Sequence, residues 1–175
     1  GDWVLALDDD CYLERGGLNT AVQAAAADGA DLVSFLVRDP FRPGFVFNRL
    51  YNTGLLSFWG CAVLFKREVI GKVGGFDPNI LVWAHELEFM LRFFDAGLRH
   101  LYLPSVTALH MSNPAYSDFK FITNHRHLGY IAGARLGGFD AIRAMAALFV
   151  PIADGFGQRP LAPLYRKLAA ATIEG

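Results

Sequence analysis

Two groups of residues in this sequence have types and spacings that could do chemistry. The first is Asp8-Asp9-Asp10, which closes the apolar run Trp3-Val4-Leu5-Ala6-Leu7. Three adjacent carboxylates repel one another, so they need a cation or ample water beside them. The run reads either as an oxygen-rich cation site or as a solvated turn. The second group is His85-Glu86. With successive side chains about 100° apart around a helix, Phe89, Phe93, Met90, Phe94, Leu87 and Leu91 form one apolar arc. His85, Glu88, Arg92 and Asp95 fall opposite, and Glu86 falls inside the arc. It lies in the first turns, where the helix dipole favours an anion and burial opposes one. That conflict suits a general base. It equally suits an acid at a frayed helix start that reaches solvent or caps the backbone.

These groups need elements to position them. Trp3 to Leu7 reads as a buried parallel strand, which puts the three acids at the C-terminal edge where open α/β sheets hold their ligands. Gly16 to Asp28, alanine-rich and closed by Gly29, reads as a helix, and Ala30 to Val37 as the next strand. Arg38 to Phe58 mixes prolines, Gly44 and aromatics without a sustained period, as an ordered active-site loop would. Phe58 to Phe65 is then a strand, Lys66 to Val73 a short helix, and Gly74-Gly75 a turn into the acid-bearing helix, which stops at Gly97. Arg99 to Leu103 and Val106 to Leu109 are short extended runs about Pro104 that deliver His110 to the end of the second. The remainder reads as helical over Tyr116 to Leu136, Asp140 to Val150 and Leu161 to Ile173. Gly-Gly-Phe-Asp occurs at 74 to 77 and 137 to 140 with different flanks, a coincidence rather than a repeat.

Composition excludes some functions. The 175 residues are 53% hydrophobic, enough for one sizeable core. Lys and Arg number 16 against 17 acids, a net charge of -1, which gives no electrostatic reason to expect nucleic acid as a partner. Cys11 and Cys61 stand far apart without finger spacing, so they read as buried thiols of a reducing compartment rather than zinc ligands. The apolar stretch 144 to 153 is short for a bilayer span and is broken by Pro151, which leaves room for a peripheral membrane contact alone.

In order and spacing, Leu7-Asp8-Asp9-Asp10, Gly60-Cys61 with Lys66-Arg67, Val73-Gly74-Gly75-Phe76-Asp77, His85-Glu86-Leu87-Glu88-Phe89, Arg92, Gly97, Pro104 and His110 resemble the family 2 glycosyltransferases. The resemblance covers residues 1 to 112 and continues into a helical tail, 113 to 175, by general character only. It implies a partial GT-A fold, the nucleotide-diphospho-sugar transferase α/β architecture, with a mixed sheet and flanking helices. It also implies transfer of a sugar from a nucleotide-sugar donor to a carbohydrate or lipid-linked acceptor. The reaction would be metal-dependent and inverting, with Mn²⁺ or Mg²⁺ as cofactor, in the cytoplasm or on the cytoplasmic face of a membrane. Because Gly1 alone precedes Asp2, the chain is expected to be the C-terminal part of such a domain.

Carried over residue by residue, Asp10 and His110 would hold the metal or diphosphate. Asp8 and Asp9, with Gly60, would contact the donor. Glu86 would be the base, and the family's usual Glu-Asp is replaced here by His85-Glu86, so His85 joins it as a candidate. Trp59 and Trp83 could stack on sugar rings or belong to the core. Glu88 and Arg92 read as a four-residue helix pair worth a few tenths of a kcal/mol. The Gln-x-x-Arg-Trp signature of processive synthases does not occur, which points to addition of one or few sugars. A sugar nucleotidyltransferase and a carbohydrate-binding or partner-binding remnant without turnover are the competing readings.

Overall fold

The structure is a computed structural model, and it describes residues 1–44, 58–80, 84–111 and 118–135. The sequence expectations for 45–57, for Trp83 and for the helices beyond Arg135 lie outside these residues. The described chain forms two compact units. One comprises Gly1–Phe76 and Phe89–Pro114; the other contains Asp77–Glu88 and the helix Asp118–Arg135.

The first unit is an α/β layer structure on a five-stranded mixed sheet. Its strands are β1 (Trp3–Leu7), β2 (Cys11–Leu13), β3 (Leu32–Arg38), β4 (Ala62–Lys66) and β5 (His100–His110), in the order β1-β4-β3-β5-β2. Helix α1 (Gly17–Asp28) links β2 to β3, and α2 (Arg67–Val73) follows β4. Helix α3 (His85–Asp95) precedes β5, and α4 is Asp118–Arg135.

Why these segments become strands follows from the alternation of their side chains. On β4, Ala62 and Leu64 join Val33, Phe35, Val37, Ala21 and Ala25 in one core cluster. Val63 and Phe65 join Leu32, Val69, Phe89, Met90 and Phe93 in another. Both faces of β4 are covered, so its sequence is a continuous apolar run. Helix α1 approaches closely because its buried face is Gly17, Ala21 and Ala25. A Cβ added at Gly17 would stand 2.9 Å from Val106 Cγ1, well inside contact distance. The helix ends at Gly29, whose φ of 76° is the left-handed conformation that glycine adopts freely.

Two expectations are corrected. Strand β1 is half-buried, and its described partner, β4, is antiparallel rather than parallel. Pairing direction lies in the connections, not in the period of side chains. Since β4 is also antiparallel to β3, and β3 is parallel to β5, the strands β1, β3 and β5 nonetheless run the same way. The acids therefore still stand at their C-terminal edge. The second correction concerns Pro104, which does not divide two strands. It lies in a register shift, Phe35 opposing Leu103 and Leu36 opposing Thr107, inside a single strand. A residue without an N–H is accommodated where the ladder is interrupted. Among the described residues, no helix is long and apolar enough to cross a membrane.

Candidate metal centre and its surroundings

The acidic run occupies the turn between β1 and β2, a short strand that the sequence reading did not separate from it. Cys11 opposes His110 in the β2–β5 ladder, and Met111 N–H donates to Asp10 O at 2.9 Å. This register carries His110, a hundred residues along the chain, to the acids. Its Nε2 lies 3.2 Å from Asp10 Oδ1. Asp8, Asp10 and His110 can each offer one ligand atom, all within 4.8 Å of one another. The His110 side chain is 12% exposed and that of Asp10 44%, so the group opens to solvent on the carboxylate side.

Two carboxylates and an imidazole are a donor set suited to a small divalent ion. The hard oxygens fit Mg²⁺ or Mn²⁺, and a nitrogen ligand favours Mn²⁺. Asp8, expected to contact the donor, thus also belongs with the metal-binding group. Asp9 is exposed beside it, and Gly60 lies in the turn leading into β4. Trp59, next to Gly60, packs half-buried against the α1-side core.

Asp8 is held by its backbone rather than by its carboxylate. Its N–H donates to Cys61 O at 2.9 Å, and its C=O accepts from Cys11 N–H at 3.1 Å. Cys11 and Cys61 belong to one core cluster, and their mutual interaction lowers the Cys11 thiol while pushing that of Cys61 up. Both cysteines are buried, as the sequence suggested. Their adjacency had no signal in a spacing of fifty residues. A groove of about 360 Å³ between β1 and α1, lined by Trp3, Leu5, Leu18, Val22 and Leu64, includes none of the candidate residues.

His85 and Glu86 belong to the second unit. His85 Nε2 lies 3.5 Å from Glu86 Oε1, and both side chains are partly exposed. They occupy the first turn of α3, which is entered through Ala84 at φ 61°. A left-handed non-glycine residue costs about 1–2 kcal/mol, which the surroundings must offset.

The helical wheel misjudged which acid is buried. Glu88, assigned to the polar face, is 0% exposed. Arg135 on α4 binds it through Nη2 at 2.8 Å and Nε at 3.0 Å. Arg135 Nη2 also lies 3.9 Å from Asp77 Oδ2, which accepts from Tyr130 Oη–H at 3.0 Å. The Asn79 N–H on Asp77, joined by Tyr130 and Arg135, holds that carboxyl below the usual range against the effect of burial. Arg92, read from the sequence as a helix partner of Glu88, donates to Val73 O and, at 2.9 Å, to Gly75 O. Arg92 and both carbonyls lie within the first unit.

No protein-family model matches the sequence, and no curated protein matches it either. Solved structures do. One is a mannosyltransferase from Pyrobaculum calidifontis, determined in complex with GDP-Man and Mn²⁺. It is 20% identical, with a TM-score of 0.59 over 99% of this chain. The chain spans 60% of that protein's length. The likeness shows that the α/β arrangement is a glycosyltransferase-like fold.

Proposed function

We propose that this chain is a catalytic part of a metal-dependent glycosyltransferase of the family 2 type, moving a sugar from a nucleotide-sugar to an acceptor hydroxyl with inversion and without processivity. The observation that carries the reading is the convergence of Asp8, Asp10 and His110 from a turn and a distant strand end into one group of ligand atoms within 4.8 Å. That the similar structure holds GDP-Man and Mn²⁺ supports it.

In this reading Asp8, Asp10 and His110 hold the cation, and Asp9 and Gly60 contact the donor. A bound Mn²⁺ or Mg²⁺ supplies positive charge to the diphosphate leaving group. Glu86 accepts the proton of the acceptor hydroxyl as its oxygen bonds to the sugar carbon and the bond from that carbon to the diphosphate oxygen breaks. A single displacement of this kind inverts the carbon. His85, beside Glu86, positions the carboxylate. The strained entry at Ala84 supports a functional rather than frayed start to α3. Trp59 and Trp83 are the proposed acceptor contacts.

The test is Glu86→Gln, which keeps size and hydrogen bonding but cannot accept a proton. Donor binding should persist while sugar transfer, followed by product mass with Mn²⁺ present, falls by ~100-fold or more. Transfer at the unaltered rate would remove Glu86 from the mechanism. A nucleotide-sugar formed from a sugar phosphate would point to nucleotidyl transfer instead.

A further inference from the structure

Glu88 is an acid that the proposed reaction does not use, and it is completely buried two residues after Glu86. Its N–H donates to Ala84 O at 3.1 Å and closes the first turn of α3, the turn that holds His85 and Glu86. A left-handed alanine persists only where its surroundings hold it, and Glu88 is bonded to that alanine. The Glu88 carboxylate is itself held: Oε1 accepts from Arg135 Nη2 at 2.8 Å and from Nε at 3.0 Å. Two donors of one planar guanidinium on one oxygen fix its direction as well as its distance. The same guanidinium faces Asp77, with Nη2 3.9 Å from Oδ2. Asp77 organises the approach to α3. Its Oδ1 accepts from Asn79 N–H at 2.9 Å, its C=O from Ile80 N–H at 3.0 Å, and its Oδ2 from Tyr130 at 3.0 Å. All four residues, Asp77, Glu88, Tyr130 and Arg135, belong to the second unit. Helix α4 therefore holds the segment that carries Glu86 at one point before it and at another after it.

We propose that Arg135 is a positioning residue for the base, clamping Glu88 and Asp77 so that the first turn of α3 keeps Glu86 in the orientation that transfer requires. The inference rests on the reading of Glu86 as the base. An apolar pair of similar size can replace a buried ion pair without loss of stability, but it has no preferred direction. Stability and turnover should therefore separate when the pair is replaced. Misplacing a reacting group by about 1 Å can cost ~100-fold in rate, so a small shift of the turn suffices.

The experiment uses the full-length protein in four forms: parent, Glu86→Gln, Arg135→Lys and the double variant Glu88→Leu with Arg135→Met. Donor probes are GDP- and UDP-hexoses with Mn²⁺, and kinetics are measured on the one that the parent turns over. In the double variant, kcat should fall ~10-fold or more at unchanged KM for the donor. Its stability in urea should stay near that of the parent. Protection of the residue 88 amide against hydrogen exchange, followed by NMR and corrected for side-chain type, should fall ~10-fold while the amides of β4 keep theirs. Arg135→Lys, which keeps a cation beside Glu88, should recover part of both losses. A stable double variant that transfers sugar at the parental rate, or whose residue 88 amide is as protected as the parent's, would overturn the proposal. Glu86→Gln as active as the parent, or a parent that turns over none of the donors, would overturn the reading of the base instead, while amide protection would still report whether Arg135 orders the turn.

Discussion

Arg135 Nη2 lies 2.8 Å from Glu88 Oε1, and Glu88 is fully buried while the arginine side chain is 36% exposed. A carboxylate removed from water in this way depends on its partner, because an isolated buried charge is far costlier than the pair. The bond also ties the C-terminal end of α4 to the first turn of α3, in the same unit as Asp77 and Tyr130.

Arg135→Met should therefore destabilise the chain by about 3 kcal/mol, since removing one member leaves Glu88 uncompensated. Glu88→Leu combined with Arg135→Met should restore most of that loss. Urea unfolding of the single and double variants decides it. Equal losses in both would show that the arginine acts by packing instead.

Gly17→Ala should cost about 1–3 kcal/mol, because its Cβ meets Val106 Cγ1 at 2.9 Å and α1 or β5 must shift to admit it. Val106→Ala in the same chain should relieve part of the cost. A Gly17→Ala variant as stable as the parent, by thermal denaturation, would show that α1 has room to move.

Acid should destabilise the fold through Asp31 and Asp77. Burial pushes the Asp31 carboxyl up, but the hydrogen bonds from Lys66 Nζ at 2.8 Å and Arg99 N–H at 2.9 Å hold it below the usual carboxylate range. Asp77 is lowered too, chiefly by the Asn79 N–H. A depressed folded value means that the stabilisation is complete above the unfolded pKa of about 3.9 and is lost as pH falls through the folded one. Stability measured between neutral pH and about pH 3 should drop steeply only below about pH 4, and Lys66→Met should flatten that drop. A flat profile in the parent would contradict the assignment.

Much of this was readable in the residues. Helix α1 was legible because an alanine-rich run is closed by Gly29, and β4 because four apolar residues in a row need both sheet faces covered. Asp10 and His110 were legible as a pair only through the ordered resemblance, since the β2–β5 register that unites them is a long-range fact. The same limit hid the partner of Glu88. A helical wheel places a side chain on a face but does not say what covers that face, and Arg135 lies 47 residues away. Pro104 read as a break because local pattern cannot distinguish a strand end from a bulge within a longer strand. That Cys11 and Cys61 enter one core cluster depends on strand order and leaves no trace in composition or spacing.

The most direct test of the account is Mn²⁺ binding to the chain by isothermal titration calorimetry, with Asp10→Asn and His110→Ala alongside. The account predicts one site in the parent, binding abolished in Asp10→Asn with the fold unchanged by circular dichroism, and a smaller loss in His110→Ala, where water can replace one ligand. Undiminished Mn²⁺ affinity in a folded Asp10→Asn chain would contradict it.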